Sequence, residues 1–225
     1  MEKRIIGLTG GIGSGKSTAA SILKEKGAKT IDCDVLAKDI IKKGMPAYFE
    51  VIRQFGSNIL EHSGEIDRKA LAETVFSDSG KLTLLNEITH KYVYIELEKL
   101  IREFKNDEKN DIENDIENDI ENDVLVIEAS VPDFNKFKDI TDEVWTVTAD
   151  IKSRINRVMQ RSGMRREEVE QIMKNQKSDE EYIAAASVVI DNSGDFMDLE
   201  RSIHGGGIVH SEKNSEKSKA CCDKP

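Results

Sequence analysis

The segment Gly10-Gly-Ile-Gly-Ser-Gly-Lys-Ser17 constrains this chain more than any other part of it. Just before it, Arg4-Ile-Ile-Gly-Leu-Thr9 is a short, nearly continuous apolar run, the pattern of a strand buried on both faces of a parallel sheet. Just after it, Ala19, Ala20, Ile22 and Leu23 share one helical face between Lys16 and Lys26, and Gly27 supplies a left-handed stop. Strand, glycine-rich turn and helix in that order are the context in which G-x-x-x-x-G-K-[ST] cradles phosphate. Successive backbone N–H groups wrap a β-phosphate only where side chains stay out of the way, which accounts for Gly10, Gly11, Gly13 and Gly15 around Ser14. The N-terminus of the following helix adds a favourable field. In this pattern Lys16 bridges the β- and γ-phosphates, the Ser17 hydroxyl is a hard oxygen ligand for Mg2+, and Thr18 meets the α-phosphate.

The same strand-and-helix alternation continues. Ala28-Lys-Thr-Ile-Asp32, Val124-Leu-Val-Ile127, Val144-Trp-Thr-Val147 and Ser187-Val-Val-Ile190 each read as a buried strand, separated by helical stretches. The fold class that follows is α/β: a three-layer α/β/α P-loop NTPase fold with about five parallel strands. Residues 35–105 hold no convincing buried strand. Pro46 after Gly44, Asp67 before an apolar-periodic run, and Leu82, Leu85, Ile88, Tyr92 and Ile95 at helical spacing predict a helical insertion there. Residues 154–176, dense in arginine and acids, read as a lid over the site or as a solvated helix pair. Asp111-Ile-Glu-Asn occurs three times in succession, so residues 106–123 read as an acidic low-complexity insertion. The main domain therefore covers residues 1–204, and 205–225, opening on Gly205-Gly-Gly207, is expected to be a disordered tail.

A chain of 225 residues that is 38% hydrophobic can bury one good core. It has no run of the roughly 18 to 20 apolar residues that would span a bilayer, and Met1-Glu-Lys-Arg lacks the shape of a signal peptide. Cys33, Cys221 and Cys222 make neither an even disulfide framework nor spaced metal-binding pairs. The expectation is a cytoplasmic protein with no membrane partner, a monomer or small homo-oligomer. The net charge of −10 argues against a surface that coats nucleic acid.

A phosphate loop alone leaves kinase, GTPase switch, motor and nucleotide sensor open. Gln176-Lys-Ser-Asp179 resembles a guanine-specificity motif but sits in a charged helical stretch, and it reads as coincidence. Asp32 and Asp34, two residues apart, lie at the exit of the second strand, where open α/β sheets place their chemistry. One of them can take the proton of an acceptor hydroxyl, or the pair can simply cap a helix before Val35. Arg154, Arg157, Arg161, Arg165 and Arg166 recur at three- and four-residue intervals and suit the charge that develops on a transferred phosphoryl group. Glu167, Glu168 and Glu170 offer them an alternative, as surface ion pairs.

Taken together, Thr9-Gly-Gly-Ile-Gly-Ser-Gly-Lys-Ser-Thr18 and Ile31-Asp-Cys-Asp34 resemble the opening of the dephospho-coenzyme A kinase family. Phe55-Gly56, Ile66-Asp-Arg68, Leu71, Phe76, Leu85-Asn86 and His90 are similar to its acceptor-binding helical segment. Arg157-Val-Met-Gln-Arg161, Gln171-Ile172, Gln176 and Val189-Ile-Asp-Asn192 are similar to its lid and last strand. The resemblance covers about residues 4 to 203 outside the acidic insertion.

It implies transfer of the ATP γ-phosphate to the 3′-hydroxyl of dephospho-CoA, giving coenzyme A and ADP, with Mg2+ as cofactor. By matching position it makes Asp34 the general base, Lys16 and Ser17 the phosphate and Mg2+ contacts, Arg157 and Arg161 the lid charges, and Asn192 a neighbour of the adenine. Asp67, Arg68 and His90 mark the acceptor subdomain, although a histidine on a helical face is more often structural, and Glu128 is placed in the metal's water shell. Three departures stand out: Lys91 in place of a proline, Ala129-Ser-Val-Pro-Asp-Phe134 in place of a Pro-Leu-Leu stretch, and Ser187 in place of an aspartate. The rival readings are a kinase for another small hydroxylated or nucleotide acceptor, a silent nucleotide sensor, and a scaffold acting through the acidic repeat.

Overall fold

The computed structural model describes residues 3–76, 78–107 and 123–204. The acidic repeat at 111–122 and the tail from Gly205 onward lie outside the described residues. In chain order the elements are β1 (Arg4–Thr9), α1 (Lys16–Glu25), β2 (Lys29–Asp32), α2 (Cys33–Asp39), α3 (Pro46–Phe55), α4 (Arg68–Phe76), α5 (Ser79–Asn106) and β3 (Val124–Glu128). They continue with α6 (Phe134–Ile140), β4 (Glu143–Thr148), α7 (Ile151–Ser162), α8 (Arg166–Lys174), α9 (Asp179–Ala185), β5 (Val188–Asp191) and α10 (Phe196–His204). The strands form one five-stranded parallel sheet in the order β2-β3-β1-β4-β5, flanked by helices. Each strand falls where the apolar runs predicted it, because burial on both faces leaves little room for polar residues.

The described chain forms two compact units. One contains Lys26–Ala129 with the start of β1 through Ile5, and the other contains Ile6–Glu25 with the chain from Ser130 onward. In the first unit, Tyr48 and Val51 of α3, Leu71 and Val75 of α4, and Ile88 of α5 form a core with Ile59 and Ile66. Pro46 occupies the first turn of α3 as anticipated, where its missing N–H costs nothing.

The stripe predicted for α5 holds for only part of its length. Leu82, Leu85 and Tyr92 are half-buried against that core and Ile88 is buried, whereas Ile95 is 50% exposed. Burial passes instead to Val93, Leu97, Ile101 and Phe104. The helix is long enough for its two halves to serve different neighbours: Leu100 and Phe104 line a cleft of about 520 Å³ with Thr30, Ile31 and Leu125 of β2 and β3. Lys91, at the usual proline position, lets α5 run without interruption for 28 residues. Its ammonium pairs with Glu50 of α3 at 3.0 Å. Hydrogen bonds from Tyr92 and Lys91 hold the Glu50 carboxyl below the ordinary range.

In the second unit, Gly7 is set by packing. A Cβ there would lie 2.5 Å from the Phe137 ring, so α6 comes close to β1 only because that strand position lacks a side chain. Ile155 and Val158 of α7 bury against Val169 of α8, and Ile12 of the glycine-rich loop packs on the same cluster. Ser187 ties β5 to the start of β4. Its hydroxyl accepts from Val144 N at 3.0 Å and donates to Val144 O at 3.1 Å, a structural use of the residue that stands where an aspartate is common.

Candidate functional site

The loop between β1 and α1 presents backbone, and its glycines are where neighbours leave no room. Gly13 has φ 75° and Gly15 φ 98°, left-handed conformations that side chains avoid. A Cβ on Gly13 would lie 2.5 Å from the Arg154 carbonyl oxygen, and one on Gly15 would overlap the Asn192 amide. Lys16 opens α1 and is buried, whereas Ser17 and Thr18 in the same turn are exposed. Among the described residues of this unit, three buried polar atoms have no hydrogen-bond partner: Thr9 Oγ1, Ser14 Oγ and Arg157 Nη1. Buried polar groups are nearly always paired, so two hydroxyls and a guanidinium N–H left open about one glycine-rich loop fit a polyanionic ligand.

Around this loop several side chains hold backbone groups in place. Asn192, which the resemblance placed near adenine, uses its side chain to donate to Ser14 O at 2.7 Å, and its carbonyl accepts from Arg157 Nη2 at 2.8 Å. Arg154 is buried, and its Nε donates to Ile12 O at 2.9 Å while its Nη1 meets Asp179 Oδ1 at 2.6 Å. Gln176 Oε1 accepts from Ile12 N at 2.8 Å. Gln176 and Asp179 therefore do work at the loop, a use of the two residues unrelated to the guanine-specificity motif they resemble. The resemblance had marked Gln176, but not its contact with Ile12, which links residues 164 positions apart.

The remaining arginines divide as the two sequence alternatives allowed. Arg165 and Arg166 pair with Glu168 at 3.3 Å and Glu170 at 2.7 Å on the surface. Arg161 is exposed and makes no hydrogen bond or ion pair among the described residues.

Within the first unit, the chain becomes helical at Cys33, so Asp32 and Asp34 do not share one strand face as their spacing suggested. Asp32 is the N-cap of α2 and accepts from Asp34 N at 2.8 Å and Val35 N at 3.1 Å. Asp34 is displayed on the first turn, exposed. Register sets Asp32 beside Glu128, a buried carboxylate at the end of β3. Asp67 accepts from Lys69 N at 2.9 Å and Ala70 N at 3.1 Å, which starts α4. Arg68 and His90 are exposed, without an ion pair or hydrogen bond among the described residues.

The segment Ser130–Phe134 is held by α9 in the second unit. Tyr182 donates to Ser130 O at 2.7 Å, its ring meets Phe134 edge-on at 5.7 Å, and Lys177 lies over the Phe134 ring at 4.8 Å. Burial pushes the Tyr182 phenol up to about 12.

Among the described residues no helix is long and apolar enough to cross a membrane, and no group of three His, Cys, Asp or Glu side chains could hold a metal ion.

Comparison with known proteins bears on the whole arrangement. The family model for dephospho-CoA kinase matches residues 4–198. The dephospho-CoA kinase of Carboxydothermus hydrogenoformans is 41% identical over 199 residues, covering 88% of this chain and 90% of that protein. That of Fusobacterium nucleatum is 40% identical over 203 residues, covering 90% and 96%. Among solved structures, a Thermus thermophilus protein is 31% identical with a TM-score of 0.70, over 92% of this chain and 97% of that one. A Campylobacter jejuni dephospho-CoA kinase at 21% identity and a TM-score of 0.64, over 90% and 94%, shares the fold. With a family model spanning nearly all the described sequence and relatives matched over almost their full length, the chain belongs to the dephospho-CoA kinase family.

Proposed function

We propose that this protein phosphorylates the 3′-hydroxyl of dephospho-CoA with ATP, releasing coenzyme A and ADP as the last step of coenzyme A synthesis. The observation that carries the reading is the set of unpartnered buried groups at the phosphate loop, Thr9 Oγ1, Ser14 Oγ and Arg157 Nη1, in a chain of this family. In this reading the backbone N–H groups of Gly11, Gly13, Ser14 and Gly15 enclose the β-phosphate, Thr18 meets the α-phosphate, and Lys16 spans β and γ. Asn192 serves the nucleotide by holding Ser14.

The chemistry is one displacement. Asp34 takes the proton of the acceptor hydroxyl, its oxygen bonds to the γ-phosphorus, and the bond from that phosphorus to the β–γ bridging oxygen breaks to leave ADP. Arg157 and Arg161 stabilise the charge on the moving phosphoryl group. Arg157 fits this role through its unpartnered Nη1, and Arg161 through its unpaired, exposed guanidinium. Asp67, Arg68 and His90 serve the acceptor, although Asp67 is also committed to starting α4.

Mg2+ suits a site that offers one hydroxyl, because this ion is commonly held by a few protein oxygens, substrate phosphates and water. Ser17 is the proposed ligand, with Glu128 ordering bound water; the ion supplies neutralisation of phosphate charge when present. The protein is read as cytoplasmic, a monomer or small homo-oligomer, acting on a small-molecule partner with no nucleic acid or membrane involved.

The test mixes purified protein with Mg-ATP and dephospho-CoA and follows ADP release together with product mass. Coenzyme A formed in step with ADP is the expected result. Tight ATP binding with no coenzyme A would overturn the substrate assignment and direct the search to other hydroxylated acceptors.

A further inference from the structure

The phosphate loop has a weak point at Ile12, which lies between two glycines, one with a left-handed backbone, and belongs to no helix or strand. Both of its peptide groups are nevertheless held by distant side chains. Its N–H donates to Gln176 Oε1 at 2.8 Å, and its carbonyl accepts from Arg154 Nε at 2.9 Å. Its side chain packs on Ile155, Val158 and Val169.

Each holding group is itself fixed. The Arg154 side chain is only 6% exposed, and a guanidinium that dry needs a carboxylate partner, which Asp179 provides at 2.6 Å. Asp179 is placed by the capping box of Ser178 and Glu181, which closes the first turn of α9. Gln176 follows the end of α8, with its N–H donating to Met173 O at 3.2 Å. Arg154 also lies against the flanking glycines. A Cβ on Gly11 would overlap its guanidinium, and one on Gly13 would lie 2.5 Å from its carbonyl oxygen.

We propose that Gln176, Arg154 and Asp179 are positioning residues that clamp the Ile12 peptide and so preset the phosphate loop for the nucleotide. They act through the loop backbone and do not themselves meet phosphate. A loop already fixed in the binding shape loses less freedom when ATP arrives, so the clamp contributes affinity for nucleotide and none for the acceptor. The inference rests on the loop being the ATP site.

The test compares Gln176→Met, which keeps length and packing but removes the acceptor, with Gln176→Glu, which restores an acceptor oxygen. Mg-ATP affinity, the KM for each substrate, the melting temperature and hydrogen exchange at the Ile12 amide are measured on the full chain. In Gln176→Met, loss of one half-buried hydrogen bond is expected to weaken ATP about tenfold while the dephospho-CoA KM moves less than about twofold. The Ile12 amide exchanges faster in that variant, and Gln176→Glu returns it to slow exchange. ATP affinity unchanged in Gln176→Met would overturn the clamp, as would an equal rise in both KM values with a lower melting temperature, the mark of a merely structural role. Wild-type protein that fails to bind Mg-ATP would instead sink the ATP-site reading, and the clamp with it.

Discussion

In the phosphate loop much of what is offered to a ligand is backbone held in place by side chains; in α2 to α5 it is side chains carried on a backbone already satisfied by its own helices. Asn192, Arg154 and Gln176 all bond to loop peptides, and Gly13 and Gly15 leave no space for a Cβ. Asp34 is exposed on α2, and Arg68 and His90 are exposed on α4 and α5, which share a core with Tyr48, Val51, Leu71 and Ile88. The first arrangement recognises what every nucleoside triphosphate shares. The second is where a particular acceptor has to be recognised, and its surface residues can change without disturbing the core.

The sharpest way to break this comparison is at Lys16, whose charge no backbone group can replace. Lys16→Ala is expected to lower turnover about 10³-fold, about 4 kcal/mol of barrier, in a steady-state assay. A loss under about tenfold would mean that the loop backbone alone carries the phosphates. In the helical segment the largest effect is on stability. Lys91→Pro removes an N–H from the interior of α5 and the pair with Glu50, and chemical unfolding should show a loss of about 3 kcal/mol. Unchanged stability would show that α5 tolerates a kink there.

Arginines separate loop-side chemistry from surface pairing. Arg161→Ala should lower kcat about 30-fold, whereas Arg165→Ala, which removes only an exposed pair with Glu168, should change it less than about twofold. Equal effects would contradict the division. The smallest expected effect is at Tyr182. Tyr182→Phe loses the bond to Ser130 O, worth about 1 kcal/mol near neutral pH. Burial pushes the folded phenol up to about 12, above its ordinary value of 10.0, so the unfolded chain releases its proton first. Wild-type stability attributable to this group is therefore intact below pH 10 and falls as pH rises from there toward 12. Tyr182→Phe should flatten that fall in alkaline unfolding curves.

The same contrast explains what the sequence could reveal. Strands such as Val144–Val147 and the cradle at Gly10–Ser17 were legible because burial on both faces and close backbone approach each restrict residue choice locally. The stripe on α5 was legible only to Tyr92. Beyond it the helix changes neighbours, and periodicity does not record which neighbour a face meets. Spacing placed Asp32 and Asp34 at the exit of β2 and left a base and a helix cap as alternatives; the structure gives the cap to Asp32, because the chain turns helical at Cys33. The Ile12 clamp was illegible for a different reason. Gln176 and Arg154 reach it from 164 and 142 residues away, and only the packing of α7, α8 and α9 joins them.

The central claim, that a preset nucleotide loop works with one displayed carboxylate to move a phosphoryl group onto dephospho-CoA, is tested most directly with Asp34→Asn. The measurement pairs coenzyme A formation with Mg-ATP affinity on the same sample. Expected is a loss of turnover of about 10³-fold with ATP affinity within about twofold of wild type. Turnover retained within about tenfold, or ATP affinity lost together with it, would contradict the assignment of Asp34 as the base.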